Sequence, residues 1–103
     1  MVGALANSIF TPVLVCYDVA DQRTRSKLFE TLKDFGLVSV QKSVFWGHLN
    51  RAEIKSLERE LRNRLDRNAD RAFWVRADIS SNLKQGIGYE YFQQPEPDGH
   101  VIL

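Results

Sequence analysis

The sequence predicts an α+β fold: a ferredoxin-like βαββαβ domain, an antiparallel sheet with two helices on one face, followed by a C-terminal strand or tail. Three observations predict it. Residues 13–16, VLVC, form an unbroken apolar run bounded by Pro12 and Asp18, as expected of a central strand buried on both faces. Two amphipathic helical patterns of similar length flank a β-rich middle. Residues 71–77, RAFWVRA, then alternate as another strand, with Phe73 and Val75 on one face and Trp74 and Arg76 on the other. These boundaries divide the chain into a loose leader (1–11), the folded domain (12–78) and an aromatic, acidic tail (79–103).

Length and composition set the limits. A chain of 103 residues with 44% hydrophobic content is one domain with a modest core, for which dimerisation would bury more surface. The net charge is only +1, but residues 1–78 hold 13 of the 14 Lys and Arg against 10 of the 13 acids, a net of +3. The last 25 residues carry −2, so a mildly basic body bears an acidic tail. The single cysteine, Cys16, excludes an intramolecular disulfide framework and fits a reducing cytoplasmic setting. The uncharged stretch 1–11 is too short to cross a bilayer and lacks the basic start of a signal peptide, so no membrane partner is expected.

Each element has a local cause. Asp21 is placed to cap a helix over 22–35, whose seam is Leu28, Leu32 and Phe35 with Phe29 alongside, and Gly36 supplies its stop. In 37–49, Val38 and Val40 alternate with polar residues, and the alternation breaks near Lys42 and Ser43, as a bulge or tight turn would require. This predicts two strand segments, the second ending near Gly47. Phe45 and Trp46 there point to opposite faces, so at least one large aromatic lies away from the helices, either packing under a loop or meeting a second subunit, and Phe45 is the expected dimer-interface residue. Asn50 and Glu53 have capping-box spacing before a second helix, seamed by Ile54, Leu57, Leu61 and Leu65 to about Asp66. Glu58 with Arg62 and Glu60 with Arg64 are candidate i, i+4 pairs. After Asp78 the sequence predicts a loop at 80–82, a cluster of Tyr89, Tyr91 and Phe92, and a strand segment at 101–103. Such a tail suits docking on another subunit or protein.

The chemistry-bearing residues are sparse. Gly86-Ile87-Gly88 lacks the third glycine and preceding strand of a dinucleotide loop, and His48 and His100 have no thiolate partners for a zinc site. Asp18, at the end of the presumed central strand beside Tyr17, is the best candidate for chemistry. With Asp21 it forms an acidic pair of the kind that holds a hard cation such as Mg²⁺, although Asp21 is more simply a helix cap. Arg51, Lys55, Arg59 and Arg62 make a basic stripe on the second helix, suited either to tracking phosphates or to solvation alone. The uncovered face of a two-helix sheet further predicts a symmetric homodimer.

The order of apolar strand, YDVAD, basic helix start, a helix ending in FGL, QKSVFWGHL and a capped helix resembles a known family over residues 13–78. That family is the second core CRISPR-associated (Cas) protein, the small subunit of the spacer-acquisition machinery. Its most specific parts are Tyr17-Asp18 with Arg25 a helix turn on, and Gln41-x-Ser43-Val44-Phe45-x-Gly47. The resemblance implies a ferredoxin-like homodimer in which Asp18 of each protomer faces its mate and shares a divalent cation, Mg²⁺ or another such as Mn²⁺. It implies endonuclease activity on single-stranded RNA or duplex DNA, with Asp18 as metal ligand, Tyr17 and Ser43 in the catalytic set, and Arg23 and Arg25 steadying the backbone.

The resemblance also implies a non-hydrolytic role, as the central dimer that bridges a CRISPR integrase and supports duplex DNA. Arg23, Arg25 and Lys27 on the first helix and Arg51, Lys55, Arg59 and Arg62 on the second would carry the phosphates. Lys42 stands where relatives often have an aromatic. Ribonuclease toxins of the virulence-associated protein D type use a related fold, and a stand-alone toxin of that kind is the alternative.

Overall fold

A computed structural model describes residues 9–97. Four strands form one antiparallel sheet in the order β2-β3-β1-β4, with two long helices on one face and a short third helix after the last strand. The elements are β1 (Thr11–Asp18), α1 (Gln22–Asp34), β2 (Val38–Gln41), β3 (Val44–Leu49), α2 (Arg51–Arg64), β4 (Arg71–Arg76) and α3 (Ser80–Gln85). This is the ferredoxin-like arrangement expected from the element order. The expected strand at 101–103 lies outside the described residues, as do residues 1–8.

β1 is an interior strand, paired with β3 on one side and β4 on the other. Its odd residues Val13, Val15 and Tyr17 are buried beneath the helices, together with Leu28 and Leu32 of α1, Leu57 and Leu61 of α2, and Phe45 and Leu49 of β3. Each such apolar side chain contributes about 1.5–3 kcal/mol on burial. The even residues Leu14 and Cys16 are only half-buried, so the strand is not sealed on both faces. The reason is that no second layer covers the β1–β4 half of the sheet, where Phe73 and Val75 are 58% and 40% exposed.

Both long helices start on side-chain caps. Asp21 accepts from the backbone N–H of Thr24 at 2.8 Å and from its hydroxyl at 2.9 Å. Asn50 and Glu53 form the reciprocal capping box, each accepting from the other's backbone at 2.8 Å. α1 stops at Gly36, whose φ of 87° lets the chain reverse while Gly36 and Leu37 donate back to Lys33 and Leu32. Glu60 pairs with Arg64 at 2.6 Å, as the spacing predicts. Glu58 instead accepts from the Trp74 indole at 3.3 Å, because Trp74 stands on the helix-covered face of β4.

β2 and β3 meet at a two-residue turn, Lys42–Ser43, with Ser43 at φ 63° and a register shift between Ser39 and Gln41. β3 continues past Gly47 to Leu49, because Thr11 pairs with Leu49 and extends the ladder. Gly47 permits a close approach: a Cβ there would lie 2.8 Å from Leu37 Cδ2 and 3.2 Å from its Cα.

The chain after β4 folds back over the β2–β3 half of the open face. Ala77 donates to Pro12 at 3.1 Å and accepts from the Trp46 indole at 2.8 Å, and the Tyr89 hydroxyl donates to Val40 at 2.9 Å. Trp46 is consequently 1% exposed. Residues 80–82, expected as loop, open α3 instead, because Asp78 accepts from the Ser80 N–H and hydroxyl at 3.0 and 2.7 Å. Beside Trp46 sits His48, whose Nδ1 is buried without a hydrogen-bond partner among the described residues.

Two outcomes follow for stability. Gly47→Ala is expected to lower stability by about 1–3 kcal/mol through overpacking against the Leu37 backbone, read by urea unfolding; an unchanged midpoint would contradict that packing. Burial pushes His48 below its ordinary value, against the pull of the Asp78 and Glu96 carboxylates. Its unfolded form therefore takes up a proton at higher pH than its folded form, so stability is full above about pH 6.5 and falls as pH drops below it. His48→Gln should flatten that part of the stability profile, and an unaltered slope would contradict it.

Candidate active site and nucleic-acid interface

The carboxyl end of β1 divides its two functional candidates between opposite faces. Successive strand residues alternate, so Tyr17 joins the helix-covered core and Asp18 joins Cys16 and Phe73 on the open face. Asp18 is exposed and lies opposite Arg71 in the β1–β4 register. Among the described residues, no group of three His, Cys, Asp or Glu side chains is arranged to hold a metal. Within one protomer, then, no such ligand group surrounds Asp18 among the described residues. Asp21 is committed to its cap, and its two hydrogen bonds from Thr24 hold its carboxyl below the usual range.

On the helix side, Tyr17 is 7% exposed and its ring packs on Phe45 with centroids 6.3 Å apart. Burial pushes its phenol up, while the Arg25 guanidinium and the Ser43 side chain pull the other way. The Ser43 carbonyl accepts from the Tyr17 N–H at 3.0 Å, which carries the sheet ladder into the β2–β3 turn. Arg25 is tethered through Nη1 to the Val19 carbonyl at 2.8 Å. Tyr17, Asp18, Arg25, Lys42 and Ser43 all line one open cleft of about 640 Å³. The structure therefore brings together Tyr17, Asp18, Ser43 and Arg25 of the residues singled out in the sequence.

The others lie elsewhere. Arg23 is exposed in the first turn of α1, and Lys27 lies with Arg64 in a shallow groove that adjoins the cleft through Ser26 and Glu30. Arg51, Lys55, Arg59 and Arg62 are all exposed along α2. Phe45, expected at a subunit contact, is fully buried within the protomer, edge-on to Phe29 at 5.1 Å. Its side chain offers no surface to a second copy; the exposed aromatic of the open face is Phe73.

Asp70 has no counterpart among the residues that the sequence pattern marks. Its Oδ1 accepts from the Ala20 N–H at 3.0 Å and its Oδ2 from the Asp66 N–H at 2.9 Å, clamping the loop that follows Asp18 to the loop that precedes β4. Fifty residues separate Asp70 from Ala20, so no local pattern could announce the bond. Asp70→Ala should cost about 1–2 kcal/mol and speed hydrogen exchange at Ala20, with Asp70→Asn restoring part of both; unchanged exchange would remove the clamp.

Comparison with known proteins now adds a family. A CRISPR-associated endoribonuclease Cas2 from Francisella tularensis subsp. novicida is 33% identical over 91 residues, covering 85% of this chain and 93% of that one. A Cas1/Cas2 endonuclease fusion from Thermoproteus tenax is 33% identical over 104 residues; the match covers 98% of this chain but 37% of that longer protein. The crystal structure of Streptococcus pyogenes Cas2 superposes with a TM-score of 0.62 at 23% identity, over 71% of this chain and 93% of that one, and shares its fold. The family described as CRISPR associated protein Cas2 matches residues 11–83, and the chain belongs to that family.

Proposed function

We propose that this protein is the spacer-acquisition subunit of a CRISPR system, working as a homodimer that binds duplex DNA, bridges a Cas1-type integrase and cleaves phosphodiesters with a divalent metal. The observation that carries the reading is the position of Asp18, exposed at the end of a central strand on the same uncovered face as Phe73 and Val75. An exposed apolar patch beside an incomplete acidic site is what a second copy would cover and complete. Two Asp18 carboxylates brought together suit Mg²⁺ or Mn²⁺, since Mg²⁺ takes one or two carboxylates and fills its remaining positions with water and phosphate oxygens. The chemistry supplied on binding is charge neutralisation at phosphate and activation of a water.

This chain's own residues do the rest. Arg25, anchored on Val19, holds a cation at the cleft mouth, and Ser43 and Tyr17 offer hydroxyls to a phosphate oxygen. Arg51, Lys55, Arg59 and Arg62 project from α2 as a row that fits duplex phosphates and carries no base specificity. The fused relative supports the integrase partnership over a stand-alone toxin, since fusion holds two chains at high effective concentration.

Cleavage of labelled single-stranded RNA and duplex DNA, with Mg²⁺ or with chelator, tests the catalytic part. Wild type should cut only with metal, and Asp18→Ala should lose at least a hundredfold while remaining folded; equal cleavage by both proteins would remove Asp18 from the site. Replacing Arg59 and Arg62 by Ala should weaken duplex binding and lower the salt slope by about 0.9 for each phosphate no longer neutralised, and an unchanged slope would return α2 to a solvated face.

A further inference from the structure

The cleft on the helix side of β1 holds a feature that neither metal binding nor duplex tracking uses. Phe29 lines it with 36% of its surface exposed, although it belongs to the apolar side of α1. Its ring is fixed from behind by Phe45, edge-on with an interplanar angle of 78°. The Lys33 ammonium lies 5.6 Å from the ring centroid, so the π-face already attracts a cation. The cleft that Phe29 lines is also lined by two cations, Arg25 and Lys42, by the carboxylates of Asp18 and Glu30, and by Ser39 and Ser43.

These parts are held in place. Arg25 uses one donor on Val19 and keeps the others of its five N–H groups for the cleft. Ser43 is pinned by the Tyr17 N–H and by the tight turn at φ 63°, which also sets the base of the adjacent Lys42. Asp18 and Glu30 share the lining and oppose an anion there; Arg25 and Lys42 match them in number, and Lys33, over the ring, adds a third cation.

An aromatic face bordered by cations and hydroxyls is the combination that holds unpaired nucleotides: the base stacks and the phosphate pairs with the charge. A duplex keeps its bases stacked on one another and has no free face to offer Phe29. The cleft, about 640 Å³, lies within the range of small-ligand pockets and has room for one nucleotide. We propose that this cleft binds one unpaired nucleotide at a single-stranded end, with its base on Phe29 and its phosphate between Arg25 and Lys42. The proposal rests on the nucleic-acid reading above and narrows it to a junction between duplex and single strand.

The test is a binding titration of the full chain with three labelled DNA duplexes: blunt, with a five-nucleotide overhang, and with the same overhang made abasic. Wild type is expected to favour the natural overhang over the blunt duplex by about tenfold and to lose that gain with the abasic overhang. Phe29→Leu, which keeps an apolar side chain over Phe45, should lose the same gain while binding blunt duplex normally, and Phe29→Trp should retain it. Equal overhang binding by wild type and Phe29→Leu, with blunt binding intact, would overturn the cleft proposal alone. Failure to bind any of the duplexes would overturn both it and the reading on which it rests.

Discussion

The two-residue period of β1, fixed by pairing on both of its edges, is the constraint from which the rest follows. Val13, Val15 and Tyr17 must face α1 and α2, and that requirement sends Leu14, Cys16 and Asp18 to the other side. A slip of one residue would bury Asp18 beneath the helices and expose three core side chains, so the register is strongly specified. The same alternation makes the end of β1 two-sided. Its helix side carries a cleft of hydroxyls and mixed charge that Asp18 also borders, and its open side presents the Asp18 carboxylate beside an apolar stripe.

Loops keep that strand end in shape. Asp70 ties Ala20 to the turn before β4, Val19 receives Arg25, and Ser43 receives Tyr17, so three different segments converge on residues 17–20. The chain after β4 divides the open face unequally. Trp46 and His48 are covered through Ala77 and Tyr89, whereas Phe73 and Val75 stay bare. The bare half adjoins Asp18, and this is the physical ground for expecting a partner there rather than over β3.

The parts legible in the sequence were those with local causes. Asp21, Asn50 with Glu53, and Gly36 marked helix ends because capping chemistry acts within four residues. The strand alternation at Phe73 to Arg76 and the break at Lys42–Ser43 were visible for the same reason. What escaped was mostly set by distant partners. Trp74 drew Glu58 from its expected mate Arg62, and Asp70 reached across fifty residues; α3 was missed for a local reason, the Asp78–Ser80 contact two residues long in a stretch that reads as loop. Phe45 shows the limit most clearly: the pattern said that Phe45 and Trp46 face apart, but not that α1 covers the first and the returning tail the second.

The central claim is that one protomer supplies half of a metal site and that a second copy, seated over Phe73 and Val75, supplies the other half. The most direct measurement is Mn²⁺ binding stoichiometry by electron paramagnetic resonance, combined with sedimentation of wild type and Phe73→Asp. Wild type is expected to sediment as a dimer with one tight Mn²⁺ per two chains, and Phe73→Asp as a folded monomer with none. A monomeric Phe73→Asp that still binds one Mn²⁺ per chain, or a dimer with no tight Mn²⁺, would contradict it.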